Sequence, residues 1–138
     1  MIKGSILKKL NGEKIIVHQN RYMDFFHKDD LLKVVDFYLD NISHLDVLPN
    51  DINLSYGKNS GIKTLYSIAE YIDSLEEPRV GVEVEKAGYS KSYCGNNSNL
   101  RKLNLKLNGI KKSIRLVYND LKNNNDGIKS YSEEHHDK

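Results

Sequence analysis

Along this chain the apolar positions switch between strand-like and helical spacing. Residues 14–18 (KIIVH) form a run rich in β-branched side chains after the turn-like Asn11 and Gly12, and read as a strand. Residues 23–27 (MDFFH) read as a second, aromatic strand. Leu31, Val34, Val35, Tyr38, Leu39 and Ile42 then recur at the spacing of an amphipathic helix that ends by Ser43 and His44. Asp29 and Asp30 stand at its start, where a carboxylate accepts unpaired N–H groups and meets the positive end of the helix dipole. After Pro49 and Asn50, residues 52–56 (INLSY) predict a strand closed by Gly57. Thr64 is the N-cap of a helix whose apolar stripe is Leu65, Ile68, Ala69, Ile72 and Leu75. Val80, Val82 and Val84 alternate with Gly81 and Glu83, the pattern of a half-buried strand. Residues 86–99 are polar and glycine-containing, a loop leading into a short helix over residues 98–103. The last helix spans residues 109–123, with Ile110, Ile114, Val117 and Leu121 on one face.

Helix and strand signals alternate, which predicts an α/β fold of three helices with about four short strands. Each helix has one apolar stripe and therefore needs a sheet to cover it. Packing is expected over residues 1–122. Residues 123–138 hold too little apolar material to pack and read as a disordered polar tail.

Composition narrows the function classes. The length of 138 residues fits one domain or part of a larger one, and 38% apolar with 29% charged residues describes a soluble protein. No apolar run approaches the roughly 18 residues of a membrane span, and the N-terminus lacks a signal-peptide core. A single cysteine, Cys94, excludes an internal disulfide framework and suits the reducing cytoplasm, the expected location. The net charge of +2, with lysines interleaved among acids, gives no basis for a nucleic-acid partner.

A complete enzyme is not legible. There is no glycine-rich dinucleotide loop, no Walker-type phosphate loop, no nucleophile elbow and no His-x-x-x-His pair. Residues 57–61 (GKNSG) hold two glycines without the dinucleotide spacing. Tyr118 and Lys122 have the Tyr-x-x-x-Lys spacing in which a lysine lowers a phenol pKa for proton transfer. In a chain with nine tyrosines and many lysines that spacing arises by chance, and the pair is not taken as catalytic. His27 is either a half-exposed strand-end histidine or a group pointing into a ligand cleft, since strand ends in open α/β sheets receive ligands. Asp29 and Asp30 read as helix-start residues ahead of acid–base catalysts. Glu133, Glu134, His135 and His136 read as a solvated polar run, and Cys94 as a small buried residue.

The stretch Arg21–Leu31 (RYMDFFHKDDL) resembles the RDF-hydrophobic-(Y/H)-V-D-D-V segment of the extended short-chain dehydrogenases, the NAD-dependent nucleotide-sugar epimerases, dehydratases and reductases. Three further stretches follow in the family's order. Residues 51–57 (DINLSYG) are similar to its Asn-Val-Gly-x-Gly strand, with Asn53 at the asparagine, and residues 62–72 are similar to the next helix. Residues 91–100 (KSYCGNNSNL) and the Gly109 helix resemble the ending. The match covers about residues 12–121.

This resemblance implies the C-terminal, substrate-facing portion of a Rossmann-type enzyme. NAD or NADP would be bound mainly by a part outside this chain, which would also carry the catalytic pair. That N-terminal half could come from another chain. The implied ligand is a nucleotide sugar. Asp24, Phe25, Asp29, Asp30 and Asn53 fall on mainly structural positions, and His27 on a variable aromatic or histidine position. Met23 replaces an arginine that contacts substrate phosphate in many members. Arg21, two residues earlier and so on the same strand face, is the substitute, with Lys91 as the second basic candidate. Alone, the chain is expected not to catalyse, and to expose the edge of residues 52–56 and its helix stripes unless a partner covers them. The alternative is a non-catalytic sugar-nucleotide-binding or protein-interaction module.

Overall fold

A computed structural model describes the backbone of residues 1–57 and 62–136 and, within these, side chains as far as residue 124. Among the described residues the fold is mixed α/β. It has α1 (Ile2–Leu10), β1 (Ile15–Asn20), α2 (Lys28–Asp40), a 3-10 segment (Ile42–Val47), α3 (Leu65–Asp73), β2 (Val82–Tyr89), α4 (Ser98–Lys102) and α5 (Gly109–His136). The two strands pair in parallel, Ile15 opposite Val82 and Val17 opposite Val84. Parallel neighbours need a long crossover, and here α2, the 3-10 segment and α3 supply it.

The main core lies where this strand pair meets α1, α3 and α5. Ile15 and Val17 point inward from β1, and α3 brings Leu65, Ile68, Ala69 and Ile72 against them. The last helix adds Ile110, Ile114 and Tyr118, at the i, i+4 spacing that keeps them on one face. Full burial of each such aliphatic side chain stabilises by about 1.5–3 kcal/mol. The Thr64 hydroxyl accepts the Ser67 N–H, and Ser67 answers with its own side chain, a reciprocal cap that fixes where α3 starts.

Sequence reading expects no helix at residues 2–10. Its apolar face is thin, Ile2, Ile6 and Leu10, because Lys9 takes a buried place beside them. The Lys9 ammonium stands 3.3 Å from Asp73 and donates to the Pro78 carbonyl at 2.6 Å. Asp73 also accepts the N–H groups of Val80 and Gly81, so one carboxylate ties α1, α3 and the approach to β2. Burial pushes the Asp73 pKa up, but those two amides and Lys9 outweigh it and hold it below the ordinary value.

A smaller cluster surrounds α2. Val34, Leu100 and Leu103 are its buried members, with Phe26, Phe37, Tyr38, Ile52 and Leu54 packed around them. The rest of the α2 stripe faces outward. Leu31, Val35, Leu39 and Ile42 are exposed, the last two at 59% and 64%, and Leu32, Leu45 and Val47 extend the patch.

Several expectations are corrected here. Residues 23–27 form no strand: Tyr22 and Met23 make isolated bridges to Thr64 and Tyr93. Residues 52–56 are irregular, because no neighbouring strand is present among the described residues to pair with them. Three helices and about four strands thus become, among the described residues, five α-helices, a 3-10 segment and two strands. Cys94 is exposed. The backbone of α5 runs as helix to His136, past the start of the expected tail, while Asp137 and Lys138 lie outside the described residues. No described helix is long and apolar enough to cross a membrane.

Candidate ligand cleft

Residues 21–25 are laced between two other segments. The Met23 N–H donates to the Lys63 carbonyl, the Asp24 N–H to the Tyr93 carbonyl, and the Tyr93 N–H back to Tyr22. The Leu65 N–H donates to the Arg21 carbonyl and so joins the base of α3 to the same stretch. Between them opens a cavity of about 430 Å³, walled by Tyr22, Met23, Asp24 and Phe25 on one side. Tyr56, Gly57, Ile62, Lys63, Ile68, Ser92, Cys94, Gly95 and Ile110 complete the wall. A mostly apolar lining with a few convergent polar groups is the usual character of a small-molecule site.

Tyr56 forms one wall and is locked in place. Its ring stacks on Phe26 with centroids 4.8 Å apart. Its hydroxyl donates to Asp30 at 2.7 Å, accepts the His27 N–H at 3.1 Å and stands 3.0 Å from the Ser113 hydroxyl. Burial, with the Asp30 charge beside it, pushes the Tyr56 pKa up to about 12. The phenol therefore stays protonated and serves as a donor.

Asp30 is the hub beneath it. This wholly buried carboxylate accepts from Lys33 at 2.9 Å, from Tyr56, and from the Asn108 N–H at 2.9 Å; the Gly109 N–H lies 3.3 Å away. It therefore caps the start of α5 from the first turn of α2. Burial alone would raise its pKa, but Lys33, the Asn108 amide and Tyr56 outweigh it and hold it below the usual aspartate value.

The glycines here are closely approached by neighbouring side chains. Gly57 sits at φ 75°, and a Cβ there would meet Asn97 Nδ2 at 2.4 Å. At Gly95 a Cβ would stand 3.2 Å from that of Asn53. Gly95 donates its N–H to Asp24, and the Asn53 amide donates to the Asn96 carbonyl at 3.0 Å. Beyond the glycines the cavity continues into a polar extension of about 440 Å³ bounded by Asn96, Asn97 and Arg101. A groove of about 650 Å³ beside α4 and the start of α5 shares Tyr56, Asn97 and Arg101 with it.

The residues expected to bind substrate fall elsewhere. Arg21 is half-buried with its Nε lacking a hydrogen-bond partner among the described residues, and is not in the cavity wall. His27 is the N-cap of α2, in place of the aspartates: its Nδ1 accepts the Asp29 N–H at 3.2 Å. That bond puts the proton of a neutral ring on Nε2. Asp29 lies in the first turn, its carboxylate 3.7 Å from the imidazole. Lys91 is exposed, one residue before Ser92 of the wall. Asp24 and Phe25 do line the cavity, and Asn53 braces the neighbouring loop. Sequence reading missed Tyr56, Ile62, Ser92 and Arg101, which carry no motif of their own. The one signal was their place inside or beside the stretches that resemble the dehydrogenase family.

Tyr118 and Lys122 meet through a third residue. Both reach Glu76, at 3.3 Å and 2.6 Å, and burial with the Glu76 charge pushes the Tyr118 pKa up to about 12. That shift is opposite to the one a catalytic tyrosine needs. The GKNSG glycine loop beyond Gly57, and the side chains of the Glu133–His136 group, lie outside the described residues. Among the described residues no group of three or more His, Cys, Asp or Glu could hold a metal ion. Neither β1 nor β2 is followed by a glycine-rich turn into a helix N-terminus, the arrangement that receives a dinucleotide pyrophosphate. NAD(P) therefore does not fit the described residues, and no hydride step is assigned to them. In comparisons with family models, curated proteins and solved structures, nothing matches this chain.

Proposed function

We propose that this chain binds a nucleotide sugar in the Tyr22–Gly95 cleft, as the C-terminal, substrate-binding portion of a Rossmann-type, NAD(P)-dependent epimerase/dehydratase of the extended short-chain dehydrogenase type. One observation carries the reading. The separate stretches that resemble that family, at residues 21–31, 51–57, 62–72, 91–100 and the start of α5, contribute Asp24, Tyr56, Ile62, Cys94 and Ile110 to one cavity. A flat base suits the aromatic wall, and the polar extension suits a phosphate chain. Under this reading the chain contributes binding and orientation, and cofactor and catalytic base come from a part that the described residues do not include. Calorimetric titration with uridine, guanosine and thymidine diphosphate sugars tests it. Saturable binding of one of them is expected; a folded chain that binds none sinks the reading.

A second reading, a protein-interaction module, has its own observation. The outward stripe of α2 and the 3-10 segment is exposed, and residues 52–56, packed behind α2, have N–H groups that make no main-chain hydrogen bond within the described residues. An apolar helix face next to unpaired backbone is what a partner sheet would cover. The segment 28–51 also holds six aspartates and two lysines in a chain of net charge +2, so a partner with a basic rim fits best. The two readings are compatible: the cofactor-binding part of such an enzyme would be that partner.

A further inference from the structure

The cleft has a direction. Its apolar and aromatic part is lined by Phe25, Ile62 and Tyr56. Its polar extension carries one cation, Arg101, which also borders the adjoining groove. Between them, the cavity and the extension share Tyr56, Gly57, Cys94 and Gly95, so two of the four residues at their junction carry no side chain.

Arg101 is placed and idle. Its N–H donates to the Asn97 carbonyl at 3.0 Å, and Asn97 in turn holds the Ser55 carbonyl at 3.1 Å, so α4 fixes the residue relative to the junction. The side chain is exposed and makes no hydrogen bond or ion pair with the described residues. Two other cations near the cleft are engaged, while Lys63, whose side chain makes no ion pair among the described residues, lines the apolar cavity and not the extension. Lys33 is held by Asp30, and Lys111 lies over the Tyr71 ring. An unpaired guanidinium at the surface sheds little on meeting an anion, and its planar fork matches two phosphate oxygens at once.

We propose that the cleft takes its ligand in one polarity, ring body at the Phe25–Ile62 end and phosphate-bearing arm past Gly57 and Gly95 to the Arg101 guanidinium. The inference rests on the nucleotide-sugar reading and adds the anion-binding residue, which the family positions Arg21 and Lys91 do not supply. Arg101 then sets the preference for diphosphates over bare nucleosides.

The test uses the full chain, as wild type, Arg101→Met and Arg101→Lys. Nucleoside diphosphates, the matching nucleosides and inorganic pyrophosphate are titrated, and the Arg101 Nε–Hε resonance is followed. Because Arg101 makes no side-chain bond, both variants are expected to keep the wild-type circular dichroism. Diphosphate affinity is expected to fall about tenfold or more in Arg101→Met, with partial recovery in Arg101→Lys and nucleoside affinity unchanged. Pyrophosphate should shift the Arg101 resonance. If pyrophosphate moves Arg101 while no nucleoside or nucleotide binds, the anion site stands and the nucleotide reading falls. If nucleotides bind equally to wild type and Arg101→Met, the nucleotide reading stands and this inference is overturned. Neither binding nor a shift overturns both.

Discussion

α3 and α2 are both amphipathic helices of one stripe, yet they end in opposite states. The α3 stripe is closed on every side: Ile68, Ala69 and Ile72 are at 1% exposure or less. Of the six α2 stripe positions, Leu31, Val35, Leu39 and Ile42 stay in solvent, and only Val34 is buried. Residue type does not separate them. The number of neighbours does. α3 lies between β1, α1 and α5, whereas α2 has the short α4, the 3-10 segment and irregular stretches including Ile52, Leu54, Leu105 and Leu107 behind it. Helical periodicity marks a face that favours burial; it does not say that the same chain supplies the cover. The asymmetry makes the strand side the better-covered body of this molecule and, under the interaction reading proposed above, the α2 side its contact face.

The link between the two sides is Asp30, and breaking it should have the largest effect. Asp30→Ala leaves the Tyr56 hydroxyl and the Asn108 amide without their acceptor, while Lys33, 38% exposed, can turn to water. A loss of about 2–5 kcal/mol is expected in denaturant unfolding, from the two unsatisfied donors. A loss under about 1 kcal/mol would show that the α2 side is not coupled to α5 through this carboxylate. The same group fixes a pH dependence. Asp30 and Asp73 both have folded pKa values below the ordinary 3.8. Each therefore adds stability that is complete above about that value and is lost as the pH falls through the window beneath it. Acid unfolding monitored from pH 6 to pH 2 should show stability falling below about pH 4. Asp30→Asn should flatten that fall by removing one of the two contributions.

Next in size is a cavity in the strand-side core. Ile72 is fully buried, and Ile72→Ala should cost about 2–4 kcal/mol. Val34→Ala, in the thinner α2 cluster, removes less side chain from a site with more freedom to collapse, and about 1–2 kcal/mol is expected. Equal losses at the two positions would erase the distinction between a stable body and a contact face.

How much of this was legible varies with how local the cause is. β1, α2, α3, α4 and the start of α5 follow from neighbours in sequence: periodicity, the Thr64 cap, β-branched runs. α1 was hidden because Lys9 belongs to its buried face only through Asp73, a partner far along the chain. Residues 52–56 have the composition of a strand, but a strand needs another edge, and among the described residues none is offered. The candidate site divides the same way. Asp24 and Phe25 could be marked from the opening stretch. Tyr56 and Arg101 owe their places to Asp30, Ser113 and Asn97, contacts that no local pattern announces. His27 shows the reverse case: a residue with the look of a ligand group turns out to cap a helix.

The smallest effect on folding should come from the contact face itself, and it is the most discriminating. Leu39→Ser and Ile42→Ser replace side chains that are already more than half in water, so each should change unfolding free energy by no more than about 0.5 kcal/mol. The same pair of changes should matter elsewhere. If the face is covered by a sheet from another polypeptide or another part of the enzyme, removing two of its central apolar groups should abolish that association while nucleotide-sugar affinity of the isolated chain is retained. Hydrogen exchange provides the direct reading: in the assembled state the amides of residues 52–56 should gain protection together with α2, and should lose it together in the double variant. Protection of α2 alone would mean a helix-on-helix partner and would remove strand pairing from the argument. Unchanged association would move the contact face away from α2 altogether, and would leave the exposed stripe without a role.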